Sequence, residues 1–234
     1  MDSYRNNAII VGVLFIFATV FSILSSVFLG STLATPISLV TVHANANQVM
    51  IAAILELIAA LSAFGTAVFI YPILKRFIES LAIAYVGLRL LENTFYILAI
   101  VSLITLLTLS QEHAGAINAS YQPLSNFLIA LYHWAGAIGT VIIAGIGGIT
   151  LNYVLYQSKL VPRWLSGWGL IGDVLLILFG LIGLTSLQPS SPNSILALLA
   201  IPLAVQEMVF AVWLIIKGFN QSAIASEKLK LSIS

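Results

Sequence analysis

The chain has 234 residues, of which 60% are hydrophobic and 7% charged, with a formal net charge of +1 and a mean hydropathy of +1.09. A soluble globular chain carries about 25% charged residues, so this composition excludes a soluble domain, and the small net charge describes no basic surface for nucleic acid. Cysteine is absent, which removes disulfides, thiolate nucleophiles, thiolate zinc sites and iron–sulfur clusters.

Apolar runs of about 20 residues cross a hydrocarbon core at about 1.5 Å per residue. Six are predicted, at about 8–29, 50–74, 78–109, 125–157, 164–187 and 194–218. The expected fold is all-α: a six-helix transmembrane bundle forming one domain over residues 1–234.

The first span follows "MDSYRNN" and reads as an uncleaved signal anchor, its apolar run being longer than a signal-peptide core; the small residues of "STLAT" are the alternative cleavage point. Residues 30–49 make an outside segment long enough to form a cap. The second span carries Glu56 towards its outer end, and Lys75 and Arg76 follow it.

The third span contains "VGLRLLENTFY", an arginine and a glutamate inside an otherwise oily stretch. Tyr85, Arg89, Glu92 and Tyr96 are spaced 4, 3 and 4 apart and share one helical face. Counted from residue 78, Arg89 lies roughly 16 Å and Glu92 roughly 21 Å along the helix, too deep for easy snorkelling. The pair therefore faces protein or water. Two readings stay open: an ion pair that fixes helix register, or part of a ligand site.

A second outside segment, 110–124, holds the glycan acceptor triplet Asn118-Ala119-Ser120, for which chance occurrence is the simpler account. In the fourth span His133 adjoins Trp134 near the outer interface. It reads either as a hydrogen-bonded packing histidine or as a ligand, pointing into the bundle. Gly136, Thr140, Ala144 and Gly148 repeat every four residues, a small-residue stripe that admits a neighbouring backbone. The fifth span opens with Pro162, Arg163, Trp164 and Leu165: proline starts the helix, arginine meets headgroups and tryptophan anchors at the interface. It carries Asp173 at mid-membrane, and Gly169, Gly172, Gly180 and Gly183 are the expected mate for the stripe. In the sixth span Pro202 predicts a kink one turn before Glu207, while Trp213 and Lys217, spaced i and i+4, anchor the far end.

Of the nine Lys and Arg, all but Arg89 fall at the N-terminal tail, the 2–3 loop, the 4–5 loop or the C-terminal tail. The positive-inside rule then places both termini in the cytoplasm. The interior inventory is Glu56, Glu92, Asp173, Glu207, Arg89 and His133, spread over every span but the first. These groups are expected to converge. One guanidinium neutralises one carboxylate, so at least one of Glu56, Asp173 and Glu207 is expected to be neutral at pH 7.

Three stretches, "YPILKRFIESLAIAYVGLRLLE" (71–92), "LVPRWLSGWGLIGDVLLIL" (160–178) and "LAVQEMVFAVWLIIKGFN" (203–220), resemble a prokaryotic integral-membrane family of unknown function, domain of unknown function 4386. The resemblance spans nearly the whole chain. It implies the six-span architecture and a bacterial or archaeal cell (inner) membrane, and it carries no activity. It implies a small or apolar residue where Asp173 stands.

Three classes of function remain. The chain is expected to be a non-catalytic protein that binds a lipid-like or small amphiphilic ligand in an intramembrane polar pocket, or an accessory subunit of a membrane complex. Alternatives are a proton-coupled transporter of a small solute using Glu56, Asp173 and Glu207 as relays, and an intramembrane lipid-modifying enzyme with Glu or His as base. The candidate ligand-binding or relay residues are Arg89, Glu92, Glu207, His133, Asp173, Glu56, Tyr85 and Tyr96. No catalytic residue and no cofactor or metal is assigned, since no nucleotide fingerprint, G-x-S-x-G or H-E-x-x-H occurs; an outer metal site of His43, His113 and His133 is the minor alternative. Expected partners are membrane lipids, with other membrane subunits or a second copy of the chain.

Overall fold

The computed structural model describes residues 2–30, 32–33, 39–112, 121–185, 198 and 200–231. Among these residues the regular elements are α1 (Asp2–Leu29), α2 (Leu39–Ala44), α3 (Ala46–Leu74), α4 (Glu79–Glu112), α5 (Gln122–Gly136), a π-helical segment (Ala137–Ile143), α6 (Ala144–Ser158), α7 (Arg163–Thr185), α8 (Ile201–Ile216) and α9 (Gln221–Leu231). Hydrophobic side chains occur on all sides of the long helices, as they must where one face meets protein and the other meets lipid.

Five helical stretches are each long and apolar enough to cross a membrane: α1 from Tyr4, α3, α4, the continuous Gln122–Ser158 rod, and α7. The expected sixth span differs. Helix α8 has 16 residues, about 24 Å at 1.5 Å per residue, and joins α9 across a 78° bend. Among the described residues there are therefore five candidate crossings, or six if the bent pair is one span. Residues 194–197 and 199, which open the predicted span, lie outside the described residues, as do the glycan triplet, His113 and the "QPSSPN" connection. Pro202 produces no kink, because α8 begins at Ile201 and the proline sits in its first turn, where a missing N–H costs nothing.

Helix contacts form a closed circuit: α1 packs on α3, α3 on α4, α4 on α6, α6 on α7, α7 on α8, and α8 back on α1. Close approach at small residues makes it possible. A Cβ added at Gly12 of α1 would stand 2.6 Å from the Ala211 carbonyl of α8, and one at Gly145 of α6 would stand 2.6 Å from Ile177 of α7. The expected mating of the two glycine-bearing helices is thus present for α6 and α7. Gly136 takes no part, having nothing within 4 Å of such a Cβ.

Two apolar clusters bracket the ring. One contains Val11, Phe15, Ile70, Leu155, Leu165, Phe210 and Leu214 and fills the end that carries both described termini. The other, with Val42, Val49, Leu103 and Leu106, packs the opposite end of α1, α3, α4 and α5. The outer surface is apolar as well, with Val27, Leu90, Val101 and Ile171 all more than half exposed. Charges are inside and oil is on both sides of them, the arrangement a bilayer requires.

The basic residues outside the membrane interior gather at the terminus end. Arg5 donates hydrogen bonds to the carbonyls of Leu214 (3.2 Å) and Ile215 (2.5 Å), satisfying the last turn of α8 where cations are favoured. Arg76 lies 5.3 Å from the Tyr4 ring, and Asn220 donates to the carbonyls of Leu160 (2.9 Å) and Lys159 (3.2 Å).

Candidate functional site

A ring of six helices leaves a hole, and here the hole is polar. It forms a cavity of about 280 Å³, walled on α1 by Thr19 and Ser22, on α4 by Arg89, Glu92 and Tyr96, and on the fourth rod by Thr140, Ala144 and Gly148. Asp173 of α7 and Glu207 of α8 complete it. Ile23 of α1, itself 55% exposed, and Ala200, just before α8, are among its lining residues. Its floor is closed by the edge-to-face pair Phe15–Phe210, centroids 5.3 Å apart, above the apolar cluster of the terminus end. A smaller recess of about 10 Å³ extends towards that floor between Asn152, Asp173, Gln206 and Glu207, close to the volume of one water.

Helical spacing puts Arg89 one turn from both Tyr85 and Glu92. Its Nη1 donates to both Glu92 carboxylate oxygens, at 3.1 and 2.9 Å, and its Nε donates to the Tyr85 hydroxyl at 3.1 Å. Thr66 of α3 stands 3.3 Å from the same hydroxyl. The guanidinium also lies over two rings, 5.4 Å from Tyr85 and 5.9 Å from Phe15. The ion pair is 8% and 6% exposed at its two side chains, and these contacts fix the arginine's direction.

The other two carboxylates of the cavity have neutral partners. Thr19 donates to Glu207 at 3.3 Å, and Asn152 donates to Asp173 at 2.9 Å. Glu207 interacts electrostatically with Arg89, Glu92 and Asp173. The approach of Asp173 to α6 depends on a missing side chain, since a Cβ at Gly148 would overlap its carboxylate.

The predicted residues divide into three groups. Arg89, Glu92, Tyr96, Asp173 and Glu207 line one cavity. Tyr85 is fully buried beneath it and holds Arg89 without lining it. Glu56 and His133 stand apart and do not line it. Glu56 of α3 accepts a hydrogen bond from Tyr132 of α5 at 2.5 Å, and Ser25 of α1 interacts with the same carboxylate. His133 is half-buried and meets Tyr132 edge to face at 5.3 Å. His133 lines neither the cavity nor its recess, while its neighbour Tyr132 reaches Glu56. His43 and His133 belong to no metal-capable group of three His, Asp or Glu among the described residues.

Sequence reading missed four contributors. Thr19 and Ser22 come from the one span credited with no polar interior group, although their spacing of three marks a face. Asn152 continues the 136–140–144–148 stripe by one more step of four. Tyr132 was overshadowed by its histidine neighbour. The π segment gave no sequence signal; it lies where Gly139 meets Phe95 of α4 so closely that a Cβ would overlap the Cβ of Phe95, and it presents Thr140 to the cavity. Such segments are frequent at functional sites.

The arrangement combines one guanidinium already committed to a carboxylate with two further carboxylates that have neutral donors. Residues 10–218 match the family described as "Domain of unknown function (DUF4386)". No curated protein and no solved structure matches the chain.

Proposed function

We propose, for a chain that belongs to the DUF4386 family, that the central cavity binds a small amphiphile whose head is an ammonium or a comparable hydrogen-bond donor. The protein then works as a multi-pass, non-catalytic binding component of a prokaryotic cell membrane, with both termini in the cytoplasm. The observation that carries this reading is that Asp173 and Glu207 face one cavity and, among the described residues, have Asn152 and Thr19 as their side-chain hydrogen-bond donors.

Charge decides the head group. Arg89 is the only cation lining the cavity among the described residues, and Glu92 already takes two of its hydrogen bonds. A phosphate or carboxylate head would meet two further acidic side chains with no spare cation to offset them. An ammonium donates to both. Size fits as well, because about 280 Å³ lies at the lower edge of the roughly 300 to 1,000 Å³ of small-molecule sites. Ile23 of α1 and Ala200 beside α8 line the same cavity, and the apolar tail leaves for the acyl region between them.

A second reading, proton-coupled transport, is favoured by the electrostatic chain from Asp173 and Glu207 through Glu92 and Tyr96 to Glu56. Against it stands the packed apolar cluster between the cavity and the terminus end.

The test uses purified full-length protein in nanodiscs with n-hexylamine, hexanoate or hexyl phosphate. The amine is expected to raise the melting temperature saturably, and the Asp173→Asn/Glu207→Gln protein is expected to lose that rise. Stabilisation by hexyl phosphate or hexanoate, with none by the amine, contradicts the reading.

A further inference from the structure

The terminus end carries a second concave site, separate from the central cavity. Helix α6 ends at Lys159, which adopts a left-handed conformation at φ 57°, and α8 ends at Gly218, at φ +73°. A side chain at 218 is disfavoured by that dihedral. These two reversals face each other and are tied by the Asn220 hydrogen bonds to Leu160 and Lys159 at 2.9 and 3.2 Å. Between them opens a pocket of about 460 Å³ whose lining, among the described residues, includes Lys159, Arg163 and Lys217 and no acidic residue. Arg163 is held over the Tyr156 ring at 5.1 Å.

An apolar groove of about 380 Å³ runs from this pocket along α8. It is lined by Met208, Val209, Val212, Trp213, Ile216 and Lys217, and it shares Trp213 and Lys217 with the basic pocket. Trp213 is braced edge to face by Trp164, centroids 6.5 Å apart. Val212 and Ile216 are 47% and 63% exposed. Residues 208 to 217 rise about 14 Å, close to the hydrocarbon depth of one leaflet, about 15 Å.

We infer that this composite site binds one anionic phospholipid, its phosphate held by Lys159, Arg163 and Lys217 and one acyl chain lying along the α8 groove. Three cations with no carboxylate suit a phosphodiester. The contiguous apolar groove selects a lipid over a soluble phosphate, and Trp213 marks the boundary between the two regions, where an amphipathic ring is favoured. The site shares no lining residue with the central cavity, so it stands whether or not the amine reading holds.

Native mass spectrometry of the full-length protein, titrated with phosphatidylglycerol and with phosphatidylcholine, tests this. One phosphatidylglycerol is expected to be retained in preference to phosphatidylcholine. Arg163→Gln/Lys217→Gln is expected to weaken it by about 30-fold, with phosphatidylcholine retention unchanged. Val212→Trp, which fills the groove and leaves every charge in place, is expected to weaken it too, and Arg163→Lys/Lys217→Arg to preserve it. An unchanged melting temperature establishes that each variant is folded. Equal retention of the two lipids, full retention by Arg163→Gln/Lys217→Gln or by Val212→Trp, or complete displacement by glycerol 3-phosphate overturns the inference.

Discussion

At the scale of single residues, Arg89 decides the polarity of the interior. Its hydrogen bonds to Glu92 and Tyr85 make it the donor for a buried acid, so removing it leaves a charge with no partner. Arg89→Leu is expected to destabilise the protein by about 3 to 5 kcal/mol, whereas Arg89→Leu/Glu92→Leu, which removes both charges, is expected to recover most of that loss. Denaturation in detergent measures the difference; a double variant no more stable than Arg89→Leu shows that the arginine acts elsewhere. The one-face placement of Tyr85, Arg89, Glu92 and Tyr96 was legible in the sequence because helical spacing is a local rule. Which of them reaches the cavity was not, because that depends on the rotation of α4 against α3 and α1. Tyr85 lies within hydrogen-bond reach of Thr66, and no spacing within one helix reports a partner on another.

At the scale of elements, the fourth rod and α7 form the wall that positions Asp173. Small residues every four positions announced a close contact, and α7 is the neighbour on which α6 packs. What the pattern concealed is that the gap at Gly148 is occupied by a carboxylate. Gly148→Ala is therefore expected to push Asp173 aside and to cost about 1 to 3 kcal/mol. In an Asp173→Ala background the same change is expected to cost much less, because the methyl group then fills vacated space. Equal costs in both backgrounds, read from thermal melts, contradict the contact. The start of α8 was misread for a related reason: Pro202 looks like a kink only if the helix begins well before it, and helix ends depend on neighbouring chain as well as on local residues. The π segment escaped notice because it is set by how Gly139 meets Phe95 on another helix.

At the scale of the whole molecule, a closed circuit of helices places apolar clusters at the ends and an acidic cavity between them. Hydropathy revealed the long helices because each is a continuous apolar run, and the basic residues revealed that alternate loops share one end. The order of the ring and the presence of a hole at its centre follow from tertiary packing alone. Orientation can be tested cleanly because the chain has no native cysteine. Asn47→Cys is expected to react with a membrane-impermeant maleimide added outside intact cells and Ser222→Cys only after lysis; the reverse pattern would invert the topology. The central claim is that Asp173 and Glu207 share an interior site for a cationic head. The most direct measurement is a density map of the protein in nanodiscs with n-hexylamine. The account predicts density for the amine between the Asp173 and Glu207 carboxylates, with its chain directed between Ile23 of α1 and Ala200 beside α8. An interior in which Glu207 turns to the acyl chains, or in which added amine leaves the space beside Arg89 unchanged, contradicts it.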